Sequence, residues 1–309
     1  MHTCYGWGLP VVRNYTGDPG GACKFDYPIK QLSDADKMMV PRHGIDEAAT
    51  ALRVKRLSDA IGDIITVNVD RGPAYRMWTA DLSTDLGALR GIEHIMEDMY
   101  DNPEWLHGVL KFMSDGVLKT NEEAERAGDW GLCAHQNQAM PYAEELKDPA
   151  PNVNGVRQNE LWGYMAAQEL TAISPAMHEE FMLRYQMPIM QRFGLVAYGC
   201  CEDITRKIQM LRQIPNLRRI AVAPFADAAR CAEQIRDDYV LSYRPSPADM
   251  VSYGLAPDRV RAILRRDLSA CRECHVDITL KDVETVGHDV HRVRNWVAIA
   301  RSVVDEIWR

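Results

Sequence analysis

The sequence predicts an α/β fold, a TIM (β/α)8 barrel, and three observations carry that expectation. Short apolar or β-branched runs alternate with amphipathic helical tracts from about residue 60 onward. Those runs are short and mainly apolar, as strands covered on both faces of a parallel sheet are. No glycine-rich dinucleotide fingerprint accompanies them and no change of composition divides them, so a barrel outranks a doubly wound sheet. The expected organisation is one structural domain, with residues 1–60 an irregular, partly helical lead-in and residues 61–309 the barrel.

The elements follow in order. Tyr5-Gly6-Trp7-Gly8 and Gly17-Asp18-Pro19-Gly20-Gly21 read as a twisted hairpin or irregular lead-in, and Ser33 to Ala60 as mostly helical. Ile64-Ile65-Thr66-Val67-Asn68-Val69 is β-branched and short, the composition of a strand. Ile92, Ile95, Met96 and Met99 recur at helical spacing. A second helix opens at Asn102-Pro103, a cap followed by proline in the first turn, and stops at Gly128. Gly131 to His135 reads as a strand, and Pro141 to Gln158 as a long polar excursion. Ser174-Pro175 opens a further helix. The remaining strands are Leu195–Gly199, Leu217–Val222, Tyr239–Ser242 and Val276–Leu280, separated by helical tracts over 203–213, 227–236 and 257–268. A last helix runs from Val290 to Trp308.

Composition narrows the function. The chain has 309 residues, 46% hydrophobic and 26% charged, with net charge −8 and acids and bases interspersed. No basic stripe suits a nucleic acid. No apolar run reaches the roughly 18 residues of a membrane span. Eight cysteines without a secretion signal read as reduced thiols of a cytoplasmic protein.

Parallel α/β folds bind ligands at the carboxyl ends of their strands, so position ranks residues before chemistry does. The expected ends carry Asp70 and Arg71; His135 and Asn137; Tyr198, Cys200, Cys201 and Glu202; Arg244; and Lys281 with Asp282. Mixed acids, bases, amides and thiols in such a ring point to an enzyme. Cys200-Cys201-Glu202 combines two soft sulfurs with a carboxylate, a donor set for zinc. Local spacing supplies two ligands comfortably, so another strand has to complete the set, with His135 the candidate. The plain structural reading has one cysteine in the core and Glu202 capping the next helix. Arg71 and Arg244 suit a substrate carboxylate or phosphate, or balance Asp70 and Glu202. Lys281 and Asp282 orient an anionic substrate or base, or pair with each other. Cys271-x2-Cys274-His275 precedes its strand and reads as structural, and His288 and His291 as capping or exposed.

Several stretches together resemble the uroporphyrinogen decarboxylase superfamily. They are Asp70-Arg71-Gly72-Pro73, Met99 to Trp105, Ile173 to Phe181 with Tyr185 and Pro188, and Leu280 to Val286. The resemblance covers most of residues 60–309. It implies the superfamily's form of TIM barrel, and relative to such proteins the chain lacks the leading helices and first strand unless Tyr5–Val12 takes its place. Members include a cofactor-free decarboxylase and corrinoid-dependent methyltransferases of anaerobes, the latter holding zinc through a His-x-Cys element and a later Cys. Tyr198-Gly199-Cys200 is the matching stretch here, with tyrosine at the histidine position. The resemblance therefore implies a zinc-dependent methyltransferase that exchanges a methyl group between a small donor or acceptor and a separate corrinoid protein. Cys200, Cys201 and Glu202 would be its metal residues. His135, Tyr198, Lys281 and Asp282 would be catalytic, and Asp70, Arg71, Asn137 and Arg244 would contact substrate. A homodimer is compatible with it. The decarboxylase lacks support in its arginine-rich Arg-Gln-Ala-Gly-Arg-Tyr segment, which is absent from the chain. A tetrapyrrole- or corrinoid-binding module without catalysis is the remaining alternative.

Overall fold

A computed structural model describes residues 6–17, 23–76, 80–134, 143–251 and 254–309. It shows a mixed α/β fold. A two-stranded antiparallel sheet precedes a five-stranded sheet whose strands follow chain order. The chain divides into two compact units, residues 1–197 with 214–216, and residues 198–213 with 217–309. No helix among the described residues is long and apolar enough to cross a membrane.

The first unit begins with a hairpin, β1 (Val12–Tyr15) against β2 (Cys23–Asp26), with Val12 opposite Asp26. The block expected to be mostly helical holds a 3-10 turn at Leu32–Lys37 and helix α1 (Glu47–Ile61), with extended chain between. Asp46 caps α1 by accepting from the Ala49 amide, yet none of its residues is buried. Helices α2 (Ser83–Arg90) and α3 (Ile92–Asp101) are separated by Gly91, whose φ of 88° lies in the region that glycine adopts most easily. Helix α4 (Pro103–Ala127) matches the expected pattern. Its Leu106, Leu110, Met113 and Val117 recur at three- and four-residue spacing and are fully buried. Gly128 ends it in the left-handed conformation. Trp7 packs edge-on to Tyr75 and close to Phe112 beside this helix.

Two expected strands of this unit do not form. Residues 64–69 are irregular, with Ile64 79% exposed, and Asn152 rather than a strand engages them, accepting from Val69 N and donating to Val67 O. Gly131 makes a single bridge to Asn154 and then enters a 3-10 turn, Leu132–Ala134. The strand that does form is β3 (Trp162–Met165), buried at every position. Ser174 caps α5 (Pro175–His178) as expected, followed by a π-turn and α6 (Arg184–Met190). Strand β4 (Leu195–Tyr198) is buried throughout.

In the second unit β5 (Leu217–Val222), β6 (Val240–Tyr243) and β7 (His275–Ile278) lie parallel in that order. Ala221 pairs with Ser242 and Ser242 with Asp277, which puts these three on one face of the sheet. The helices are α7 (Ile208–Leu211), α8 (Ala228–Ile235), α9 (Ala248–Val251), α10 (Pro257–Ala270) and α11 (His291–Trp308), with α11 packed on α10. The apolar strands therefore carry their polar followers at their carboxyl ends, where the candidate site lies.

Candidate functional site

Gly199, whose φ is 101°, directly follows strand β4. A side chain there would be strained, and its Cβ would come within 3.1 Å of the Ala221 Cβ. The turn directs Cys200, Cys201 and Glu202 away from the strand line. Glu202 is 1% exposed and accepts a 2.7 Å hydrogen bond from the Cys200 amide. Asp203 accepts from the Thr205 amide at 2.9 Å, and the Thr205 hydroxyl accepts from the Asp227 amide at 2.9 Å. These side-chain bonds hold residues 203–205 as a turn, so the helix expected from residue 203 shrinks to α7.

The Cys200 and Cys201 sulfurs lie 3.6 Å apart. Cys200 is buried and Cys201 half-buried. The Cys200 thiol hydrogen-bonds to Cys201 and, with the ammonium of Lys281, outweighs burial and brings the Cys201 thiol down to about 6. Lys281 reaches this point from the loop after β7 and pairs with Asp282, which adopts a left-handed φ of 46°. Arg244, 3% exposed, donates to the Gly199 carbonyl and to the Ser242 hydroxyl. Ser242 in turn donates to Asp277 at 3.0 Å, and Arg219 grips the same carboxylate. Tyr198 is buried at the end of β4. The structure thus brings Cys200, Cys201, Glu202 and Lys281 together, with Arg244 tied to the same turn.

A zinc ion fits this donor set by halves. Two thiolates on one tetrahedral zinc, at bonds of about 2.3 Å, stand roughly 3.8 Å apart. The observed sulfur spacing is close to that. One oxygen of the Glu202 carboxylate accepts from the Cys200 amide, and among the described residues no three His, Cys, Asp or Glu groups gather for a metal. His135 and Asn137 lie outside the described residues.

The other candidates resolve differently. Asp70 and Arg71 belong to the first unit. Asp70 binds Arg76 and the Gly72 amide. Arg71 forks onto Glu47 and donates to Asp129 at 2.6 Å, so its donors serve an internal network. Burial pushes the Asp129 carboxyl up, but His43 and Arg71 outweigh it and hold it below its ordinary range. Cys271 donates to the Ala228 carbonyl and Cys274 to that of Ala232. Burial lifts Cys271 to about 12, and it stays a packed thiol, as its position before β7 predicts.

Two features escaped the sequence reading. Lys207 is 2% exposed, and burial lowers its ammonium to about 8 against the pull of Glu202 and Asp203. Nothing in one lysine's neighbours along the chain signals such burial. In the first unit Thr84 donates to both Asp81 and Glu169, and Trp7 donates to Asp85 at 2.7 Å. Burial and the neighbouring Glu169 raise Asp81 well above its ordinary value. These acids are twelve or more residues beyond any expected strand end, so the positional rule passed over them. Compared with known protein families the sequence matches none, and no curated protein is significantly similar to it.

Proposed function

We propose that this chain is an enzyme with a barrel of the uroporphyrinogen decarboxylase type, which moves a methyl group between a small substrate and a corrinoid protein. The single observation that carries the reading is the Cys200–Cys201 sulfur pair at 3.6 Å beyond the end of a parallel strand. Strands in unbroken chain order support the barrel, since successive barrel strands pair in sequence. The described cysteines are free thiols, which supports a cytoplasmic setting.

In this reading Cys200 and Cys201 hold zinc. Bound zinc would supply Lewis acidity toward a substrate oxygen or thiol, and the partner's corrinoid the cobalt end of the transfer. The chain's own residues do the rest. Glu202 fixes the Cys200 backbone, Lys281 keeps a positive charge beside Cys201, and Arg244 offers a buried guanidinium to an anionic part of the substrate. Metal analysis of the purified protein tests the reading. At least about half an equivalent of zinc is expected, falling in C200S and C201S. Less than that, with C200S retaining methyl transfer to a corrinoid, would end it.

One observation favours a second reading. Lys281 provides the cation that a metal-free nucleophilic thiolate needs. Under that reading the Cys201 thiolate takes the methyl group from its donor, forming an S–C bond as the donor's bond to that carbon breaks. The donor leaves with the electron pair and takes up a proton, and chelators leave activity unchanged.

A further inference from the structure

A cavity in the second unit stands apart from the dithiol. It occupies about 560 Å³, within the range of small-molecule sites, and opens at the carboxyl ends of β5 and β6. Along β6 side chains alternate. Ser242 turns to Asp277, whereas Tyr243 turns the other way and donates to Asp267 on α10 at 2.5 Å. The cavity therefore belongs to the helix-covered face of the sheet.

Helix α10 supplies one wall. Arg259, Ile263 and Arg266 line it at four- and three-residue spacing, so the two arginines stand on one helical face, roughly 10 Å apart along the axis. Each is tethered through Nε, Arg259 to Asp249 at 2.9 Å and Arg266 to Asp267 at 2.7 Å. That tether orients the guanidinium and keeps its two terminal amino groups for a further acceptor. Both arginines are more than half exposed, at 60% and 74%, so these ion pairs contribute little and a ligand can share their partners cheaply. Alanines 223, 226 and 228 leave the floor open.

Charge decides the ligand class. Asp227, Asp249 and Asp267 border the cavity against two arginines, an excess of one negative charge. A dianion would meet that excess, and a plain cation would meet the arginine forks. A molecule with both signs suits both. We infer that this cavity binds a small zwitterion of the α-amino-acid type. Its carboxylate lies on an arginine fork, its ammonium faces Asp227 or Asp249, and its side chain lies along Ile263.

Calorimetric titration of the full chain tests this with L-alanine, L-leucine and L-phenylalanine, each beside its decarboxylated amine and its deaminated acid. At least one amino acid is expected to bind at millimolar concentration or tighter, with both of its halves weaker by about tenfold or more. R259Q and R266Q should each weaken binding about tenfold with an unchanged melting temperature, while C201S leaves it intact. Absence of binding by all three amino acids overturns the proposal. So does a deaminated acid binding as tightly as its parent, or binding that survives in R259Q/R266Q. The C201S result keeps this test separate from the methyl-transfer reading.

Discussion

Arg219 on β5 and Asp277 on β7 join by two parallel hydrogen bonds of 2.7 and 2.8 Å that pass over the intervening strand β6. Arg219 is 4% exposed, so its charge has little water to fall back on. Removing one member of such a pair typically costs about 3–5 kcal/mol, because the survivor is left buried and uncompensated. D277N should lower the urea midpoint by a corresponding amount, and R219M/D277L should recover most of it. A loss in the double variant as large as in D277N would show that packing, not charge, sets the cost.

The dithiol makes a prediction about reactivity. In chelator-treated protein, Cys201 should be alkylated by iodoacetamide with a half-maximal rate near pH 6, since its thiol lies at about 6. C200A and K281M each remove a group that stabilises the thiolate, so each should move that midpoint upward. Peptide mapping against pH reads it. An unmoved midpoint in both variants removes the account of Cys201 given above.

Asp85 predicts a pH dependence of stability. Burial raises its carboxyl from 3.8 to about 6, Trp7 opposes this by donating a hydrogen bond, and Glu169 reinforces it. A carboxyl raised on folding favours the fold while protonated. Its contribution is therefore complete below pH 3.8 and lost as pH rises through about 6. D85N keeps an acceptor for Trp7 without the charge. It should raise stability above that window by roughly 2–3 kcal/mol and flatten the profile, read as urea midpoints across the range.

Gly199→Ala should destabilise the protein by about 1–3 kcal/mol, through its left-handed backbone and the contact with Ala221. Thermal unfolding measures it. Because the same turn aims Cys200, zinc content should fall with it. Gly108→Ala, at an exposed position with open space inside α4, should instead leave zinc content alone and raise stability by about 0.5–1 kcal/mol.

Strand β4 was legible as a short continuous apolar run, the composition of a buried parallel strand. By contrast β5 carries Arg218 and Arg219, and β7 (His275–Ile278), which carries Asp277, stood out by its β-branched Val276 and Ile278. Residues 64–69 show the limit. β-Branched residues favour extended chain, but a strand also needs a neighbour to pair with, and Asn152 takes the place of one. The opposite error hid β3. Trp162-Gly163-Tyr164-Met165 looks broken by its glycine, yet a Cβ at Gly163 would come within 2.7 Å of Phe193, so glycine is what close packing demands there.

By itself the sequence determined which segments could be buried strands and therefore which residues follow their carboxyl ends. That was enough to single out Cys200, Cys201, Lys281 and Arg244. Tertiary structure decided which of them act together. It brought Lys281 to Cys201 across 79 intervening positions and turned Glu202 inward to the Cys200 amide. It also committed Arg71 to Glu47 and Asp129. The physical reason is that periodicity records how a segment meets water and apolar surroundings, whereas charge and hydrogen-bond partners depend on distances that only strand register and helix packing set.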